Sequence, residues 1–453
     1  MGGDDAHTAG TGAPRRRRSP AQLIGLALGP IAAGVMLLIE APAGCPDAAW
    51  TTAALAVLMA TWWSTEALPL PVTALLPVPL VPALGIADIA TATAPYANPL
   101  VFLFLGGFLL AAAVQRQALH RRVALAVVRV AGPCPDRLVG GMLVATAVLS
   151  MWISNTATAA MMLPIALALV ALADAEPDAE AARRFAAAML LAIAFGANIG
   201  GMATLVGTPP NALLAGFLAQ SHGIEIGFGE WMLAGVPIAA VLLGLAWWLL
   251  ARRVFAVGNR PLPGAGRFIA AERAALGALS PAQRRVAGVV ALAAFGWLTR
   301  PLINARLPGV ELTDAGIGVG CALLLFLLPA GRLRGPALLD WHATRGLAWG
   351  VLILVGGGLS LGSVIQQSGL ADFVAGAMVG TAAWPVAGVV AAIAALTIGL
   401  SHVTSNTATT ATLLPIVVSL AAAADQPVLT LAVAVALSAS CAFMLPVATP
   451  PNA

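Results

Sequence analysis

Residues 138–172 read LVGGMLVATAVLSMWISNTATAAMMLPIALALVAL, two apolar arms at 138–153 and 157–172 that meet at Ser154-Asn155-Thr156. Each arm has about 16 residues, whereas a helix needs about 20 to cross a bilayer. A polar corner between two short arms reads as a re-entrant hairpin whose tip stops at membrane depth. Non-helical backbone is tolerated there only where it lines a cavity or is buried in protein. A second such unit has arms at 385–403 and 408–423 and a corner at Ser405-Asn406-Thr407.

Outward from these corners the chain stays apolar. Of 453 residues, 60% are hydrophobic and 9% charged, against roughly 25% charged in soluble domains. A water-soluble fold is excluded, and an all-α polytopic membrane protein is expected. Spans are expected at about 21–40, 49–66, 69–86, 98–119, 186–207, 231–251, 284–301, 313–330, 347–367 and 428–447. Residues 1–20 read as a disordered cytoplasmic tail, and the polar stretch 255–280 divides the chain. The sequence pI near 9.4 does not call for nucleic acid as a partner, because the basic residues sit in short loops between spans. Cys45, Cys134, Cys321 and Cys441 lack the spacing of a metal or redox site.

The two halves repeat. Gly106-Gly107 matches Gly356-Gly357 at an offset of 250, and Ser154-Asn155-Thr156-Ala157-Thr158 matches Ser405-Asn406-Thr407-Ala408-Thr409 at 251. Leu163-Pro164-Ile165 matches Leu414-Pro415-Ile416 at 251, and Thr208-Pro209-Pro210-Asn211-Ala212 matches Thr449-Pro450-Pro451-Asn452-Ala453 at 241. All 23 basic residues are arginine. A cytoplasmic N-terminus, with each hairpin entering and leaving on one side, puts 20 of them inside, against Arg300 and Arg306 outside and Arg116 at a span end. That is the positive-inside pattern. It opens the first hairpin to the cytoplasm and the second to the exterior. The halves are then inverted repeats, an arrangement that places a substrate site near the midplane at their interface.

Two tips and two proline-broken helices therefore face one site. Unwinding a helix frees N–H groups at the start of one segment, which favour anions, and carbonyls at the end of another, which favour cations. Serine, asparagine and threonine add donors without permanent charge, so a bound anion can be released again. The constellation suggests co-binding of an anion with cations such as sodium. A single Ser-Asn-Thr is usually interhelical hydrogen bonding. Two copies, each followed at similar distance by Thr-Pro-Pro-Asn-Ala, argue for a site.

These motifs, together with Leu103-Phe104-Leu105-Gly106-Gly107-Phe108, resemble the divalent anion/sodium symporter family over residues 21–453. The resemblance implies an inverted-repeat transporter of elevator type with two re-entrant hairpins and two discontinuous helices. It further implies a homodimer in the bacterial inner membrane that carries dicarboxylates with Na+ and uses no organic cofactor. By resemblance, Ser154, Asn155, Thr156, Thr208 and Pro209 line one half of the substrate site, and Ser405, Asn406, Thr407, Thr449 and Pro450 the other. Sodium is expected at Ser150, Ser154, Asn155 and Gly207, and at Ser401, Ser405, Asn406 and Ala448. The expected division is a tail at 1–20, scaffold helices at 21–137, a transport unit at 138–254, a linker at 255–283, further scaffold at 284–384 and a second transport unit at 385–453.

Two features depart from the family pattern. His402 stands before the second tip, where many sodium-coupled relatives carry an acidic residue, which leaves proton coupling or exchange open. The chain also ends at Ala453, whereas about 40 residues with a half-helix and the span 231–251 follow the matching Ala212; a fragment of a longer protein is expected. An enzyme is disfavoured because no HExxH appears, Glu40 and Glu66 lie near expected span ends, and His120 and His342 read as loop or interface residues. A channel remains the competing class, since re-entrant loops also build selectivity filters. Within the family, a sulfate carrier or a sodium-independent dicarboxylate exchanger is the alternative.

Overall fold

The computed structural model describes residues 18–174, 177–307, 309, 311–332, 334–377, 385–423, 426–445 and 448–452. Residues 1–17 of the tail expected at 1–20 lie outside these, as do Pro446, Val447 and the last residue of the second repeat block, Ala453. The first half runs α1 (Pro20–Leu38), α2 (Asp47–Thr65), α3 (Leu70–Thr73), α4 (Pro77–Ala83), α5 (Ile89–Thr93), α6 (Pro99–Arg116), α7 (Leu119–Ala131), α8 (Pro135–Ser150), α9 (Asn155–Asp174), α10 (Ala179–Met202), α11 (Pro209–His222) and α12 (Phe228–Trp247). The second half runs α13 (Ala265–Ala275), α14 (Pro281–Arg306), α15 (Asp314–Leu327), α16 (Trp349–Gln367), α17 (Leu370–Ala377), α18 (Val386–Ser401), α19 (Asn406–Ala423) and α20 (Val428–Ala439). Among the described residues, seven stretches, including α1, α9, α10, α14 and α16, are long and apolar enough to cross a membrane.

Helix starts follow the sequence. α1 and α14 open with the same Ser-Pro-Ala-Gln. In each, the serine Oγ accepts from the glutamine N–H, at 3.3 and 3.1 Å, and the glutamine Oε1 accepts from the serine N–H, at 2.9 and 3.2 Å. Proline at the first helical position has no N–H to lose there.

Several expected elements differ. The span at 69–86 is two short helices, α3 and α4, because Pro69, Pro71, Pro77, Pro79 and Pro82 deny it a continuous hydrogen-bond ladder. The segment after 119 and the polar stretch after 255 contain helices. α7 buries Ala124, Leu125 and Val128 along one stripe and turns its arginines outward. Arg122 donates to the carbonyls of Leu276, Gly277 and Ala278 at the end of α13, while Arg121 pairs with Glu272 at 3.0 Å. Arg122 thereby satisfies carbonyls that a helix end leaves free. α17 was also not anticipated. The second arm of the first pair is longer than expected, 20 residues beginning at Asn155 itself.

Small residues bring the helices together. The buried face of α1 is Gly25, Gly29 and Ala33, at spacing four, and it packs on α2; its Leu23, Ile24, Leu28 and Ile31 are exposed, as suits a lipid-facing surface. α10 meets α8 through Gly196 and Gly200, where an added Cβ would lie 2.6 Å from the Leu143 carbonyl oxygen and 2.3 Å from that of Ala147. Two apolar cores result. One gathers α7 to α10 with α12 and α13, and the other holds most of the remaining helices.

Candidate functional site

The tip of the first pair is the short turn between Ser150 and Asn155, and that of the second lies between Ser401 and Asn406. Each asparagine is the first residue of the outgoing helix, so the amino ends of α9 and α19 face each tip. α10 stops at Met202, and α11 restarts at Pro209 after Thr208, whose backbone is extended and whose side chain caps no N–H. Proline suits that restart because the first helical N–H has no intrahelical acceptor anyway.

Both tips and both restarts wall one cavity of about 890 Å³. Ser154, Asn155, Thr156, Thr208, Pro209, Ser405, Asn406, Thr407, Thr449 and Pro450 all line it, as do Gly207 and Ala448. Thus every residue expected at the substrate is brought to one place from both halves. Ser150 and Ser401 sit behind the tips and are fully buried. No basic side chain lines the cavity among the described residues, and its one ionisable member is Glu66, exposed at the end of α2. Phe104 and Phe108, edge to face at 5.6 Å, form part of the apolar wall.

Oxygen atoms dominate the polar lining. In the first half, Ser150 Oγ lies 2.7 Å from both Asn155 Oδ1 and the Ala197 carbonyl. One hydroxyl proton serves two acceptors, leaving an oxygen cluster that a hard cation would complete. In the second half, Ser401 Oγ and Asn406 Oδ1 are buried and have no hydrogen-bond partner among the described residues. Buried polar atoms are rarely left without one; these two are suited to an ion.

The carbonyls at the breaks are less free than the sequence suggests. Asn211 Nδ2 lies within hydrogen-bond distance of the carbonyls of Gly201, Met202 and Thr204, at 3.2, 3.3 and 2.8 Å. Its twin Asn452 donates to those of Ala442 and Leu445, at 2.9 and 3.2 Å. The asparagine of each Thr-Pro-Pro-Asn block therefore turns back to cap the segment before its own break. Asn211→Leu keeps the volume but orphans the carbonyls of Gly201 and Thr204, that of Met202 also accepting from Trp231 Nε1 at 2.9 Å, at about 1–3 kcal/mol for each that finds no water. The expected result is a melting midpoint lowered by at least about 5 °C in detergent, read by intrinsic fluorescence.

His402 is 7% exposed. Its Nδ1 lies 2.7 Å from the Ile398 carbonyl, and its Nε2 accepts from the Met444 N–H at 3.1 Å. A proton on Nδ1 satisfies both contacts, whereas a second on Nε2 would face an N–H. Both ring nitrogens of His402 are thus engaged by main-chain groups beside the second tip.

Sequence reasoning missed Asn198. It is fully buried on α10 and lines the cavity; its only signal was an amide within the apolar run from Met189 to Met202. The cavity also continues past Phe108, Ser154 and Ala348 into a depression of about 650 Å³ walled by Gln115, Arg116, Asp340 and His342. There Arg116 pairs with Asp340 at 2.6 Å and holds its carboxyl below the usual carboxylate range. At the first tip, Trp152 stacks on Phe228 and Trp297, with ring centroids 5.9 and 6.2 Å apart.

A family model described as the sodium:sulfate symporter transmembrane region matches residues 21–453. The sodium-dependent dicarboxylate transporter SdcS of Staphylococcus saprophyticus is 38% identical over 438 residues, which is 95% of this chain and 84% of that protein. SdcS of Staphylococcus aureus strain USA300 is 38% identical over 441 residues, 96% of this chain and 85% of its own. The chain therefore belongs to the sodium:sulfate symporter family of membrane transporters, the divalent anion/sodium symporters that its paired motifs resemble.

Proposed function

We propose that the protein is a secondary active transporter that carries small dicarboxylates, of the succinate, malate and fumarate class, together with Na+. The observation that carries this reading is the single cavity walled by both Ser-Asn-Thr tips and both Thr-Pro restarts, without a basic side chain among the described residues. A dianion held by hydroxyls, amides and helix amino ends alone would keep its charge unbalanced. Cations seated in the oxygen clusters behind the tips supply the missing positive charge, so anion and sodium favour each other's binding. The names of the two SdcS proteins support the same substrate class.

In this reading the halves are inverted repeats, the two helix pairs are re-entrant hairpins, and the N-terminus is cytoplasmic in a bacterial inner membrane. Residues 138–254 and 385–453 form the moving transport domain of an elevator. Residues 21–137 and 284–384 form its scaffold, 255–283 the linker, and two copies of the chain assemble as a homodimer. The depression at Arg116 and Asp340 lies on the arginine-rich side, so the conformation is open to the cytoplasm. The Trp152–Phe228–Trp297 stack supports closure of the opposite side.

Uptake of a radiolabelled dicarboxylate panel into proteoliposomes, with and without an inward sodium gradient, tests the reading. Replacing sodium by choline is expected to reduce succinate uptake to background. Unchanged uptake would assign exchange instead, and preference for sulfate in the same panel would change the substrate. Saturation and counterflow distinguish a carrier from a channel.

A further inference from the structure

Among the described residues, Asn198 is the one side-chain amide that touches both halves of the site. Its Nδ2 donates to Thr449 Oγ1 at 3.0 Å and to Asn452 Oδ1 at 3.1 Å, and its Oδ1 accepts from Asn155 Nδ2 at 3.4 Å. The position 241 residues on, where the restart block repeats, is Ala439, so this link has no twin.

Amide orientations along this chain follow from one end. Asn452 spends Nδ2 on the carbonyls of Ala442 and Leu445 and must present Oδ1 to Asn198. Asn198 must then turn its Nδ2 toward Asn452 and its Oδ1 toward Asn155. Asn155 in turn gives its Nδ2 to Asn198 and leaves Oδ1 toward Ser150, whose Oγ also lies 2.7 Å from the Ala197 carbonyl. Amide direction is assigned by the network that surrounds it, and here main-chain carbonyls anchor that network. Thr449 is affected as well. Because its Oγ1 accepts from Asn198, its own O–H is left to donate, and Thr449 lines the cavity.

We infer that Asn198 is a positioning residue that couples cation binding at the first tip to anion binding at the second restart. It keeps the oxygen of Asn155 in the cation cluster and the hydroxyl hydrogen of Thr449 available to a carboxylate. Without it, the Asn155 amide can flip and point N–H groups into the oxygen cluster. The inference rests on the sodium-coupled dicarboxylate reading above.

Two variants separate the ends of the link. Asn198→Ala removes both. Asn198→Asp keeps an acceptor for Asn155 but has no donor for Thr449 or Asn452. Two readouts are needed: succinate uptake by proteoliposomes across a grid of sodium and succinate concentrations, and the sodium-induced rise in melting midpoint of the purified protein without substrate. For N198A, the sodium concentration giving half-maximal uptake rises at least about fivefold, and the succinate KM no longer falls as sodium increases. For N198D, sodium-induced stabilisation stays within about twofold of the wild type, while the succinate KM rises at least about tenfold. Lower maximal rates with unchanged sodium and succinate dependence would overturn the inference, and so would equal shifts of both responses in both variants. If N198A does not fold, the N198D split decides. If the wild type is stabilised by sodium but carries no dicarboxylate, the substrate reading fails and the sodium arm alone still tests Asn198.

Discussion

Proteoliposomes carrying Asn155→Ala are expected to take up succinate at least about a hundredfold more slowly than the wild type, and those carrying Asn406→Ala likewise. The two losses have different origins. In the first half, the amide already bonds Ser150 and Asn198, so its removal both deletes a cation oxygen and strands a buried partner, Asn198 Oδ1, while Ser150 keeps the Ala197 carbonyl. A stranded group costs about 1–3 kcal/mol, while a hundredfold is about 2.8 kcal/mol. In the second half, Asn406 Oδ1 has no partner among the described residues to strand, so its loss removes the proposed ligand oxygen with little cost in stability. Asn155→Ala should therefore lower the sodium-free melting midpoint, and Asn406→Ala should leave it within about 2 °C. Transport near the wild-type rate in either variant would remove that residue from the site.

The second large effect concerns neighbouring glycines. An added Cβ at Gly201 would lie 2.5 Å from Asn155 Oδ1, whereas one at Gly200 would lie 2.3 Å from the Ala147 carbonyl oxygen and 2.5 Å from the Ala147 Cα. A side-chain amide can swing aside, but main-chain atoms of a packed helix cannot. Gly201→Ala should then yield folded protein whose half-maximal sodium concentration rises about tenfold, because Asn155 is pushed out of the cation cluster. Gly200→Ala forces α10 away from α8, a strain of about 1–3 kcal/mol or more. It should reduce the yield of monodisperse protein and lower the melting midpoint by several degrees whether or not sodium is present. Identical behaviour of the two variants would refute this distinction.

The residues that announced the site in the sequence are those that interrupt an apolar pattern twice. Ser154-Asn155-Thr156 and Thr208-Pro209-Pro210 stand out because serine, asparagine and proline are out of place in a membrane helix, and their twins remove chance. The structure brings all of them to the wall of one cavity. Asn198 interrupts the pattern once, without proline or a twin, and nothing local marks it. The capping by Asn211 depends on where the chain goes after the break, which spacing does not encode. α7 and α13 escaped notice because their arginines read as loop charge, although on α7 they share a helix with the buried stripe Ala124, Leu125 and Val128. The proline-rich stretch 69–86 erred the other way, since its hydropathy is that of a span while its missing N–H groups forbid one.

A cavity wall without arginine among the described residues also bears on how membrane voltage acts on the cycle. Moving one elementary charge across the bilayer is worth about 2.3 kcal/mol per 100 mV. In the proposed elevator the empty site brings no fixed cation back through the field, so its return is electrically silent. The voltage then acts on the loaded stroke alone, in proportion to the sodium ions carried beyond those that balance the dianion.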